Sequence, residues 1–235
     1  MTALSSLFSL ETVLSLFALL FAITVHEASH AWTAMKFGDP TAQAMGRVSL
    51  NPLAHIDPFG TVLLPLMLRL MGAPAFGWAK PVMINPRNLR HPRRDNLWIS
   101  FAGPAANISV AAVSLVLMLL VKAVSPRAMV FLAAFLGQHQ LTTGFGPLEG
   151  LVLVLFYFVL VNTYLAVFNL IPVPPLDGSG VLSGLSSKAA AVYDTVRPYS
   201  FFIGLFVIVA LIRLGILDRI VGPIFSLIGK LLFTF

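Results

Sequence analysis

The chain has 235 residues, 58% of them hydrophobic and 10% charged, with a mean hydropathy of +0.91. Soluble globular chains are about 45–50% apolar and about 25% charged, so this balance excludes disorder, a collagen-like rod and a water-soluble domain. Fifteen basic against nine acidic residues leave a net charge of +6; with no cysteine, disulfides are excluded and any metal site must use His, Asp or Glu.

In chain order, the first apolar stretch runs from Thr12 through His26 and His30 to about Met35 and predicts a membrane helix, with Glu11 near its outer end. A helix of about 24 residues covers roughly 36 Å, enough to cross a bilayer with some tilt. The run is too long for a signal-peptide core, and no Lys or Arg precedes it. Residues 36–96 are then broken by Gly38, Pro40, Gly46, Asn51-Pro52, Asp57-Pro58 and Gly60. Between these breaks, Arg47–Leu50 and Phe76–Ile84 read as short strands. The apolar piece Thr61–Met71, at about eleven residues, is too short to span and reads as re-entrant or interfacial.

A second helix is expected from Leu97 to Val121, with Gly103-Pro104-Ala105-Ala106-Asn107 near its start. A third runs from Leu151 to Ile171 and stops at Pro172-Val173-Pro174-Pro175, and a fourth from Tyr199 to Leu217. Ala128–Gly137 is apolar but short and is expected at the interface; Ile220–Phe235 is expected as a hairpin or a surface helix. The fold class is therefore an α-helical polytopic membrane protein, with about four to six membrane segments and a short β-hairpin or re-entrant region after the first core helix. A single membrane-embedded domain over 1–235 is expected, with its core at 12–185 and C-terminal membrane segments at 199–235.

Basic residues cluster at Lys80, Arg87, Arg90, Arg93 and Arg94 and again at Lys188 and Arg197, whereas 138–150 has none. The positive-inside bias then puts the C-terminal ends of the first and third helices on the cytoplasmic side of the inner membrane. The loop 80–94 would meet anionic lipid headgroups there, and nucleic acid is not an expected partner. Lys122 and Arg127 fall on the opposite side and run against this orientation.

The chemistry concentrates in His26-Glu27-Ala28-Ser29-His30, an H-E-x-x-H pattern within the first helix. Histidines four apart share a helical face, so both imidazoles can reach one ion, while Glu27 can approach a metal-bound water without being a ligand. The bland alternative, buried side chains satisfied by polar neighbours, is costly for three ionisable groups inside a membrane span. Catalytic zinc takes three protein ligands and keeps an open position. Glu149 is the only later glutamate, but it lies towards the opposite face; Asp177, after the proline-rich break, ends at the level of His30 and is the better third ligand. Prolines unwind the backbone there, and Gly178 permits a turn that other residues resist.

Together, H-E-x-x-H, Gly103-Pro104-Ala105-Ala106-Asn107 and Asn169-Leu170-Ile171-Pro172-Val173-Pro174-Pro175-Leu176-Asp177-Gly178 resemble the site-2 proteases. Gly46–Gly60, Phe76–Val82 and Asn85–Arg90 are similar to the compact prokaryotic branch, and no PDZ-like or CBS domain is visible. The resemblance covers roughly residues 15–185. It implies one zinc ion per chain, bound by His26, His30 and Asp177, with Glu27 as general base and proton shuttle. It places Asn169 near the metal, where it orients substrate or an oxyanion or else caps a helix. Asn107 matches the family's G-x-x-x-N signature, for packing or for catalysis. The implied activity is cleavage of single-span membrane-protein substrates within the membrane, with a membrane-anchored protease for loops or soluble peptides, or a zinc-binding scaffold or transporter, as alternatives. His55 and Asp57 recur in the family pattern and either shape the re-entrant piece or touch metal; His91 and His139 read as solvated.

Overall fold

The computed structural model describes residues 9–71, 79–138 and 146–234. Eight helices of eight residues or more organise them. α1 (Leu10–Lys36) starts at Ser9, whose hydroxyl accepts the Thr12 N–H, and ends at Gly38, whose φ of 106° suits only a residue without a Cβ. α2 (Pro92–Val124) begins with a proline in its first turn, where the missing N–H costs nothing, and α3 (Pro126–Gln138) follows after a break at Ser125. Then come α4 (Pro147–Asn169), α5 (Asp177–Leu185), α6 (Ser187–Val196), α7 (Ser200–Arg213) and α8 (Ile216–Phe233).

Three of these, α1, α2 and α4, are long and apolar enough to cross a membrane. A fourth span results if Ser187–Tyr199 and Phe202–Leu211, which meet at 94°, count as one broken segment. The fourth helix expected over 199–217 corresponds to α7 and ends four residues earlier than expected. α7 stops at Arg213, and Gly215, with φ 60°, turns the chain into α8. The tail, expected as a hairpin or a surface helix, is a helix, α8, with Val221, Ile228 and Leu232 buried and most of its other residues exposed. Phe17, Phe21, Val113, Val116, Leu120, Phe202 and Phe206 remain exposed, an apolar girdle that water would penalise and lipid would not.

The expected β-hairpin is not present among the described residues. Residues 47–50 form a bend and 79–84 an irregular segment, while 76–78 lie outside the described part. Buried Arg47 takes the place of a strand ladder: its guanidinium donates to the Ala54 and Lys80 carbonyls, and the Lys80 N–H donates to His55 O at 3.0 Å. Pro81 removes a donor where a ladder would continue. The apolar piece expected over Thr61–Met71 is a π-type turn, Pro58–Leu63, running into the short helix Leu64–Leu70.

Two halves of different character result. Away from the H-E-x-x-H turn, Met118 and Val121 of α2, Met129, Leu132 and Phe135 of α3, Val152 to Val159 of α4 and Ile228 and Leu232 of α8 form one apolar core. The short helix α3 therefore packs one face into this core. Lys122, on the unexpected face, points its ammonium at the Leu231 and Thr234 carbonyls at 2.8 and 2.7 Å, closing the C-terminal end of α8. The other half, where α1 and α4 end and α2 begins, holds the polar side chains.

Candidate metal centre

His26 and His30 lie one turn apart on α1, both buried, with rings 4.6 Å apart at 82°. Each ring is held from behind. His30 Nδ1 lies 2.6 Å from the Ile99 carbonyl, and His26 Nδ1 lies 2.6 Å from Asn107 Oδ1. A carbonyl oxygen only accepts, so both Nδ1 atoms carry the proton and both Nε2 atoms present lone pairs. Pro104, inside α2, has no N–H to donate to Ser100 O, the carbonyl next to that of Ile99.

Asp177, at the start of α5, brings a third acceptor. Its Oδ2 lies 3.0 Å from His26 Nε2 and 3.4 Å from His30 Nε2, and the two Nε2 atoms are 3.1 Å apart. Oδ2 is buried and makes no hydrogen bond. Three lone pairs this close repel one another unless a cation sits among them. Ligands at 2.0–2.1 Å from a tetrahedral zinc stand about 3.3 Å apart, so the donor set fits that ion in chemistry and in spacing. His26, His30 and Asp177 form the one such group of His, Asp or Glu among the described residues.

Glycines make this convergence possible. A Cβ on Gly103 would overlap His30 Nε2 and lie 2.7 Å from His26 Nε2, so only glycine leaves room beneath the imidazoles. Gly178 is needed for a different reason from the one expected. Its φ is not positive, but a Cβ would overlap the Leu170 carbonyl, so the helix start packs directly on the end of α4. Gly180 and Gly184 likewise bring α5 against Ser100 and Leu97 of α2.

Glu27, adjacent to His26 in sequence, is half-buried, and its carboxylate has no hydrogen bond or ion pair among the described residues. Asn107 is fully buried behind His26, with its amide group on Ala22 O and Asn162 Oδ1. Asn169 donates to Leu165 O one turn back. His55 Nε2 donates to Ser49 O, and Asp57 accepts the Phe59 and Gly60 N–H groups, so both shape the loop and neither joins the three-ligand cluster. His91 is exposed and precedes α2; His139 lies outside the described residues. Glu149 is buried in the first turn of α4, at the opposite end from the site.

Two polar groups of this region were not singled out from sequence. Asn162 is an amide in the interior of the apolar run of α4, which is itself a signal. Asp39 gave no pattern; buried after α1, it accepts from Thr41 N, Thr41 Oγ1, Asn85 N and Asn88 Nδ2, tying residues 85–88 to the end of that helix. Burial pushes its carboxyl up, and these four bonds pull it down by more, so it lies below the ordinary carboxylate range.

An apolar helix bundle with a His-His-Asp cluster and a neighbouring glutamate defines a membrane-embedded metalloprotease architecture. Residues 14–211 match peptidase family M50, and the chain belongs to that family, the site-2 zinc metalloproteases. It is similar to YwhC of Bacillus subtilis, provisionally described as a zinc metalloprotease, with 35% identity over 186 residues, 79% of this chain and 75% of that protein. Rip2 of Mycolicibacterium smegmatis, described in the same way, is 29% identical over 188 residues, 78% of this chain and 62% of its own length. Rip2 of Mycobacterium tuberculosis is 28% identical over 165 residues, 69% of this chain and 53% of that protein. No solved structure is a significant match.

Proposed function

We propose that the chain is an intramembrane endopeptidase that cuts the membrane-spanning segments of single-span proteins. His26, His30 and Asp177 hold one zinc ion and Glu27 is the general base. The depth of the cluster carries this reading. His26 lies ten residues before Lys36, the end of α1, or about 15 Å along the helix axis. Trp32, 53% exposed with the Lys36 ammonium over its ring, and Trp98, 48% exposed, mark the interfacial level on that side. Six residues, about 9 Å of helix axis, separate His26 from Trp32 and two separate His30 from it, which supports a centre just inside that level, within reach of a membrane-spanning segment.

Zinc, when bound, supplies a Lewis acid that polarises the scissile carbonyl and lowers the pKa of a coordinated water towards neutrality. The Glu27 carboxylate, unpaired and next to the ligands, takes the proton of the attacking water and returns it to the departing amine. A helical substrate shields its carbonyls and must be held extended, so it needs replacement hydrogen bonds. The backbone N–H and C=O groups of Val82–Ile84 have no partner among the described residues and are suited to supply them.

The exposed Arg87, Arg90, Arg93 and Arg94 lie on the side of the site, which supports a cytoplasmic-facing centre in the inner membrane with anionic headgroups against this surface. The test is turnover of single-span substrates in nanodiscs beside soluble peptides, for wild type and Glu27→Gln. Cleavage within the span, lost in the variant, is the expected outcome. Cleavage of soluble peptides alone would mark a membrane-anchored protease, and function surviving Glu27→Gln would mark a zinc scaffold.

A further inference from the structure

We infer that Asn162 is a positioning residue for the metal centre, acting through Asn107 to fix which nitrogen of His26 faces the ion. The inference rests on the assignment of His26 as a zinc ligand. Asn107 and Asn162 are both fully buried, one on α2 and one on α4, and their side chains meet at 2.8 Å.

Their hydrogen bonds run in one direction. Asn162 Nδ2 donates to the Phe158 carbonyl at 2.9 Å, which turns its Oδ1 towards Asn107. Asn107 Nδ2 donates to that Oδ1 at 2.8 Å and to the Ala22 carbonyl at 3.0 Å, which turns its own Oδ1 towards His26. That oxygen accepts the His26 Nδ1 proton at 2.6 Å. Two backbone carbonyls, neither able to donate, thus set the polarity of both amides. A rotated Asn107 amide would aim N–H at Nδ1 and leave its oxygen against two acceptors. The His26 proton would then move to Nε2, the atom that faces Asp177.

His30 needs no such chain, because the Ile99 carbonyl holds its Nδ1 directly. His26 Nδ1 meets the Asn107 side chain instead, and the Asn107–Asn162 pair spans the gap to α4. A pure packing role for Asn162 would give no preference for the direction of these bonds. Outer-sphere partners of metal-bound histidines commonly change affinity by about 10- to 100-fold when removed.

The experiment measures zinc affinity by chelator competition and the visible absorption of the cobalt-substituted protein, for wild type, Asn162→Leu and Asn162→Asp, with His26→Ala and Asp177→Asn as controls. In its neutral form the Asn162→Asp carboxyl can donate to Phe158 O and accept from Asn107 as the amide does. The Leu variant should bind zinc about 10- to 100-fold more weakly and alter the cobalt spectrum, with the Asp variant restored to within about threefold. If Leu prevents folding, Asn162→Ala takes its place and must show the same loss. Wild-type affinity in the apolar variant overturns the inference. So does equal weakening in both variants alongside a lower melting temperature of the metal-free protein, which would assign helix packing alone. Controls that bind zinc as wild type does would instead overturn the ligand assignment itself.

Discussion

Gly103→Ala tests how tightly the centre is built. The added methyl would lie 2.7 Å from His26 Nε2 and Cε1 and overlap His30 Nε2, whereas unstrained carbon contacts begin near about 3.5 Å. The imidazoles or α2 must therefore retreat by roughly 1 Å, several times the ±0.2 Å that a metal site tolerates in its bond lengths. Overpacking of a filled interior costs about 1–3 kcal/mol. If that strain falls on the ligands, zinc affinity drops by about 5- to 140-fold, since about 1.4 kcal/mol is a factor of ten. Competition with a chromophoric chelator measures the affinity, and thermal unfolding of the metal-free protein measures the fold. Affinity within about threefold of wild type would refute the reasoning, because the methyl would then have been accommodated without moving a donor atom.

Other changes separate the parts of the site. Glu27→Gln should keep zinc at wild-type content while turnover falls by about 10²- to 10⁴-fold, as expected for loss of a general base, and equal loss of metal would count against that role. Gly184→Val should force α5 away from Leu97, lowering stability by about 1–3 kcal/mol and zinc content with it; a stable, zinc-loaded variant would show that Asp177 does not depend on this contact. Lys122→Met should lower the melting temperature through loss of the α8 cap yet leave zinc affinity unchanged, since the contact lies at the opposite end from the site. Asp39 has a folded-state pKa below its ordinary 3.8, so its contribution is complete above that value and is lost as pH falls through the folded value. Exchange of the Asn85 amide, corrected for intrinsic rate, should accelerate on acidification in wild type and be fast at all pH values in Asp39→Ala; pH-independent protection in wild type would contradict the link.

The site was legible where its signals were local or rare. His26, Glu27 and His30 lie within one turn of α1, and their cost in an apolar helix is visible without coordinates. Asp177 could be found because few carboxylates were available and prolines marked an unwound stretch. Asn162 could have been noticed as an amide in an apolar run, but its bond to Asn107 depends on how α2 and α4 pack. The strands were expected from short stretches between turn signals, which do not show where their backbone groups bond; Arg47 instead reaches the Ala54 and Lys80 carbonyls, and the described residues there form no ladder. The tail was underestimated for a similar reason. Ile220–Phe235 is apolar but marginal in length for a span, yet the helix starts at Ile216, Tyr164 on α4 bonds Asp218 and stacks on Phe225, and the inner face joins the core.

X-ray absorption at the zinc edge, on wild type and on the His26→Ala and Asp177→Asn variants, bears most directly on the proposed centre. Two imidazole nitrogens and a carboxylate oxygen at about 2.0–2.1 Å are predicted, with each variant losing its own ligand from the spectrum or the ion altogether. Zinc bound with a ligand set that neither substitution disturbs would contradict the account.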